Sequence, residues 1–214
     1  MAEPVTEIDV VVGSMITMRP DEDRATYEEE SADVQDVQEF LAEEGIEVDL
    51  LSQPGTEIWE GGIEREEDLY ELKRLAAHLE RGKAPPTTTP SADLDGEQID
   101  EVLAAIWDGE ETTRFPHLIN HVVRTDQGES GYYLPVDFAE PILLSTGGEE
   151  GDELQEDDLI ISFGSSVGLL RELTELEQLL RQHNVEARGP AQVLQVLKTA
   201  AQQSIDSGLP IILW

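Results

Sequence analysis

The sequence predicts an α+β or mixed α/β fold: a small mixed sheet, about five helices and one β-hairpin. Three observations carry this expectation. Short β-branched runs alternate with stretches whose apolar residues recur at helical spacing. Two apolar segments flank a glycine-containing turn region, as in a hairpin with a longer loop. No repeat of 20–50 residues is visible, which excludes solenoid and propeller architectures.

In chain order, Ile8 to Val12 reads as a buried strand ended by Gly13 and Ser14. Residues 21–30 are charged and aperiodic, and read as a loop or frayed turn. Val34, Val37, Phe40 and Leu41 then fall at helical spacing, with Ser31 or Asp33 as caps and Gly45 as the stop. Ile46, Val48 and Leu50 alternate like a second strand before the Gln53-Pro54-Gly55 turn. Leu69, Leu72, Leu75, Ala76 and Leu79 form the clearest stripe of this half. Acids at 66–68 and Arg81 at the far end suit the helix dipole.

Residues 83–95 begin with KAPPTTTPSA and read as a linker or surface loop. They separate a strand and helix part, 1–82, from a part spanning 96–214, with one compact domain as the alternative. The second part starts with a helix presenting Ile99, Val102, Leu103 and Ile106 on one face. Residues 117–124 and 132–138 read as the hairpin arms around residues 126–131. Alternation places Tyr132, Leu134, Val136 and Phe138 on one face, and Tyr133 and Asp137 on the other. After an acidic loop at 147–158, the chain reads as a strand (159–163), two helices (169–180, and from Pro190 to near Gly208) and a closing strand (209–214).

The chain has 214 residues, with 13 Lys and Arg against 48 Asp and Glu, a net charge of −35. Residues 1–160 carry −34 of it and residues 161–214 carry −1. Cationic contacts to phosphate dominate nucleic-acid binding, so nucleic acid is excluded as a direct ligand. An anionic membrane is excluded on the same ground. There is no cysteine, and hence no disulfide or thiolate chemistry. The first residues lack the pattern of a signal peptide and no run is long enough to span a bilayer, so a cytoplasmic protein is expected.

Several motifs carry chemistry on paper. Gly164-Ser165-Ser166-Val167-Gly168 fits G-x-S-x-G between a strand and a helix. The later histidine, His183, is seventeen residues beyond Ser166, about 25 Å along a helix, which is out of reach of a catalytic serine. The expected role is a tight turn with Ser165 or Ser166 as a cap, and Gly164, Ser165 and Ser166 remain a candidate anion-binding turn. His117 and His121 are four apart, but Leu118 stands where a zincin requires Glu. In Asp93-Leu94-Asp95-Gly96 the calcium-loop register fails, since Val102 falls at the bidentate position. The acidic run 149–158 reads as a solvated loop. His117, Asn120, His121, Tyr133 and Asp137 form the densest group of polar and aromatic chemistry and are the candidate binding residues.

These features favour a non-catalytic interaction module that captures a basic protein partner quickly through complementary charge. In composition and size the chain resembles bacterial immunity proteins and DNA-mimic inhibitors, which implies that kind of acidic surface. No cofactor or metal is expected, and the oligomeric state is open. Two alternatives stand beside this reading. One is a metal-dependent hydrolase using His117, His121 and Asp137. The other is acidity that reflects a saline habitat, consistent with ten Arg against three Lys.

Overall fold

The computed structural model describes residues 7–83, 99–122, 131–145, 160–185 and 187–214. Among these, six strands and six helices follow the order β1 (Ile8–Gly13), α1 (Arg24–Glu43), β2 (Glu57–Ile63), α2 (Glu66–Leu79), α3 (Glu101–Trp107), α4 (Pro116–Ile119), β3 (Gly131–Leu134), β4 (Ile142–Ser145), β5 (Ile160–Ser165), α5 (Ser166–Gln182), α6 (Arg188–Ser207) and β6 (Ile211–Leu213). The α+β expectation therefore holds.

The strands form one mixed sheet in the order β2-β1-β6-β3-β5-β4. Only the β3–β5 pair is parallel, and the other pairs are antiparallel. The closing strand β6 lies between β1 and β3, so it ties the first strand of the chain to the later ones.

Strand alternation sends side chains to two cores. Ile8, Val10 and Val12 of β1, Tyr133 of β3 and Ile211 and Leu213 of β6 join the larger core with apolar residues of α2, α3, α5 and α6. Leu134 and Phe163 point the other way, into a smaller core with Ile16, Val34, Leu41, Ile46 and Leu50. Tyr132, Val136 and Phe138 pack against this second core, as their alternation predicts.

Four local expectations need correction. α1 begins at Arg24, because Asp23 accepts hydrogen bonds from the backbone N–H groups of Ala25 and Thr26 and caps the helix. The charged segment that reads as a loop therefore forms its first turns. Residues 46–50 form no strand; Ile46 and Leu50 are buried singly, and the Leu50 N–H bonds to the Gln38 side chain (2.8 Å). The second strand is instead Glu57–Ile63, an edge strand with exposed Glu57, Ile58 and Glu60, whose burial is too incomplete to leave an apolar signature. Finally, Tyr132 does not pair with residues near His117. His117 lies in α4, and β3 is inserted between β5 and β6.

Helix α3 is capped by Asp100, whose carboxylate accepts from the N–H groups of Val102 and Leu103. The stretch 84–95, the 126–130 turn and the 147–158 loop lie outside the described residues.

Candidate functional site

The candidate residues named from sequence separate into a buried network, a half-buried asparagine and one exposed acid. His117, His121, Tyr133, Ser165 and Ser166 are all nearly inaccessible. The His117 ring is hydrogen-bonded through both nitrogens: Nδ1 accepts from the Ser165 N–H (3.1 Å) and Nε2 donates to the Phe138 carbonyl (2.8 Å). Burial holds its pKa below the usual histidine range. His121 donates through Nε2 to the Tyr132 carbonyl (3.0 Å) and stacks on the Tyr133 ring at 4.0 Å. Its burial lowers the pKa to about 3. The Tyr133 hydroxyl donates to the His117 carbonyl (3.0 Å), and burial pushes that phenol upward.

Two glycines admit this packing. A Cβ on Gly168 would sit 2.2 Å from the His117 ring, and one on Gly164 would sit 2.5 Å from the Tyr133 ring. Glu172 completes the network from α5. Its two carboxyl oxygens accept the N–H groups of His117 and Leu118 (3.0 and 2.8 Å), satisfying the start of α4. Burial raises its pKa to about 8 against those hydrogen bonds. Lys73 donates to the His121 carbonyl (2.9 Å), and burial lowers its pKa to about 8.

The G-x-S-x-G turn is spent in the same network. Ser165 Oγ donates to the Val136 carbonyl (2.7 Å) and accepts the Gly168 N–H (2.9 Å), which makes it the cap of α5. Ser166 Oγ is bonded to Ser204 Oγ (2.8 Å). Asp137 is exposed and pairs with Arg171 (2.6 Å), while Asn120 is half-buried at the end of α4. His117, His121 and Asp137 are not gathered into a ligand set, and no group of three or more metal-ligating side chains occurs among the described residues. The hydrolase alternative thus lacks its constellation, because both His117 nitrogens and His121 Nε2 are bonded to backbone groups.

The other concentration of chemistry is on the opposite side of the sheet, in a region that the sequence marks only by its charge. Residues 21–49 contain thirteen carboxylates and one base, Arg24. Twelve of these acids are exposed: Asp21, Glu22, Asp23, Glu28, Glu29, Asp33, Asp36, Glu39, Glu43, Glu44, Glu47 and Asp49. Those on α1 from Glu28 to Glu43 fall within about 140° of arc, roughly opposite buried Val34 and Leu41.

The helix is twenty residues long, about 30 Å at the α-helical rise. Its six exposed carboxylates and one arginine give −5, one net charge per about 6 Å. One strand of DNA carries one per about 3.4 Å of axis, so the linear charge densities are of the same order.

The remaining carboxylate of this region fixes the helix in place. Glu30 accepts the Thr17 N–H (2.8 Å), the Thr17 hydroxyl (2.5 Å) and the Met18 N–H (3.0 Å). Burial works against its ionisation, but these bonds hold its pKa below the usual carboxylate value. Gln38 and the second core supply the other attachments. The sequence holds a faint sign of the helix start: Tyr27 stands seven residues, two turns, before Val34.

No helix among the described residues is long and apolar enough to cross a membrane. A family model described as "Putative DNA-mimic protein" matches residues 6–213, nearly the entire chain. No curated protein and no solved structure matches it. The family description corrects the partner expected from composition. Where composition left a basic protein in general, bound in an immunity- or inhibitor-like manner, the description names imitation of DNA.

Proposed function

The chain belongs to this DNA-mimic family, and from that premise we propose that residues 21–49 present a DNA-like anionic face to the DNA-contacting surface of a DNA-binding protein. The protein acts as a non-catalytic interaction module, and occupying that surface keeps DNA off it. The observation that carries this reading is the row of exposed carboxylates on α1, at a linear density comparable to one DNA strand. Carboxylates held on a packed helix offer the charge of a phosphate row without its flexibility. Glu30 and the Val34–Leu41 face keep that row in a fixed pose.

The test is capture that DNA reverses. The purified chain is immobilised and exposed to an extract of its own cells at low salt. Retained proteins are then challenged with a 30-base-pair duplex. Proteins released by the duplex, and not retained by a variant carrying Glu29→Gln, Asp33→Asn, Asp36→Asn and Glu43→Gln, are the expected outcome. Retention that ignores both the duplex and the four substitutions overturns the proposal.

A further inference from the structure

The same face also defines which kind of DNA-binding protein it fits, an inference that rests on the proposed function. Residues 21–49 have eighteen exposed positions, and twelve are acids. The other six are Arg24, Ala25, Ala32, Gln35, Ala42 and Gly45. Arg24 is paired with Glu28 (2.7 Å), and the Gln35 amide donates to Glu39 (2.9 Å). The two hydrogen-bond donors on this face that could imitate a base edge, the Gln35 amide and the Arg24 guanidinium, are thus each turned toward a neighbouring carboxylate of the same helix.

Proteins that read sequence require the donor and acceptor pattern of base edges in a groove. Proteins that hold single strands require ring faces on which their aromatic side chains stack. The α1 face supplies neither, since its aromatic residues, Tyr27 and Phe40, are half-buried against the second core. What it does supply is charge at fixed positions, which is the part of DNA that positions a protein without informing it of sequence.

We propose that the partner is a protein that binds duplex DNA through its backbone, independently of sequence, and that α1 stands in for one phosphate row. Sequence-specific readers and single-strand binders gain too little from this face to be displaced from their own ligands.

Competition against three labelled complexes, each held at half-saturation in the same low-salt buffer, tests this. They are a histone-like architectural protein on a random duplex, a helix-turn-helix repressor on its operator, and an OB-fold single-strand binder on oligothymidylate. The expected result is displacement of the first at a concentration at least tenfold lower than either of the others. That displacement should weaken about a thousandfold between 50 and 200 mM salt if some six charges are engaged. The four-site variant, with unchanged far-UV circular dichroism, should lose it at least tenfold.

Displacement of the repressor or the single-strand binder at equal or lower concentration overturns the inference while leaving DNA mimicry standing. Displacement of none of the three also overturns it, and the duplex-released capture then decides the broader reading separately.

Discussion

Helices α1 and α6 are each twenty residues long and lie in the two different cores, yet they are built for opposite purposes. α6 buries Pro190, Val193, Leu194, Leu197, Ala200, Ala201 and Ser204, and carries one acid and two bases. α1 fully buries Val34 and Leu41, and carries seven acids and one base. One helix derives its stability from apolar contact. The other gives most of its surface to solvent and is held by a few hydrogen bonds at Glu30 and Gln38. Concentrating like charge on an element works against its own folding, so the charged helix needs a scaffold made elsewhere. The difference teaches that exposed charge and apolar stability are assigned here to separate faces of one sheet.

The strongest way to break this comparison is to remove equal side chains from the two cores. Leu197→Ala should cost about 2–5 kcal/mol in urea unfolding, the range for buried leucines. Leu41→Ala should fall at the lower end, because the smaller second core has less packing to lose. Equal losses would show that α1 is anchored as firmly as α6.

A second comparison sharpens the role of the buried network through pH. Burial raises Glu172 from 4.5 to about 8, so within that window the folded protein retains a proton that the unfolded chain gives up. Stability therefore falls as pH rises through the window. His121, lowered from 6.5 to about 3, has the opposite sign: its contribution is present above 6.5 and is lost as pH falls. Between pH 6.5 and 8 the His121 contribution is flat and the Lys73 contribution has yet to begin, so the urea midpoint of the native protein should drop there. In Glu172→Gln that part of the drop should vanish. An unchanged slope in the variant refutes the assignment.

The smallest expected effect is on α1 itself. Raising ionic strength from 0.01 to 1 M shortens the Debye length from about 30 to 3 Å. Amide protection by hydrogen exchange should therefore increase in α1 and stay constant in α6. Equal responses would mean that charge repulsion does not limit α1.

Part of this architecture is legible in the amino-acid order alone. The stripe from Leu69 to Leu79 is α2, the run at Ile8–Val12 is β1, and Pro190 and Gly208 bracket α6. These elements announce themselves because each buries one continuous apolar face, and burial imposes a period on the sequence. β2 does not, since an edge strand containing Glu57, Glu60, Gly61 and Gly62 has no such face. The candidate site is legible as charge and illegible as surface. The −35 can be counted and all but −1 of it placed in residues 1–160, whereas the first turns of α1 resemble a loop because charged residues outnumber apolar ones there.

The sequence by itself determined the charge, its asymmetry, the periodic elements and the strand–helix context of the Gly164–Gly168 turn. Only the tertiary structure decided that His117, His121 and Tyr133 are internal, that β6 joins β1 to β3, and that the acids of α1 other than Glu30 stand on its exposed face. The physical reason is locality. Apolar period and capping are properties of neighbouring residues, while a side chain's exposure and pairing depend on segments far away along the chain. Glu172 reaching the N–H groups of His117 and Leu118 across 55 and 54 positions is a contact that no spacing rule contains.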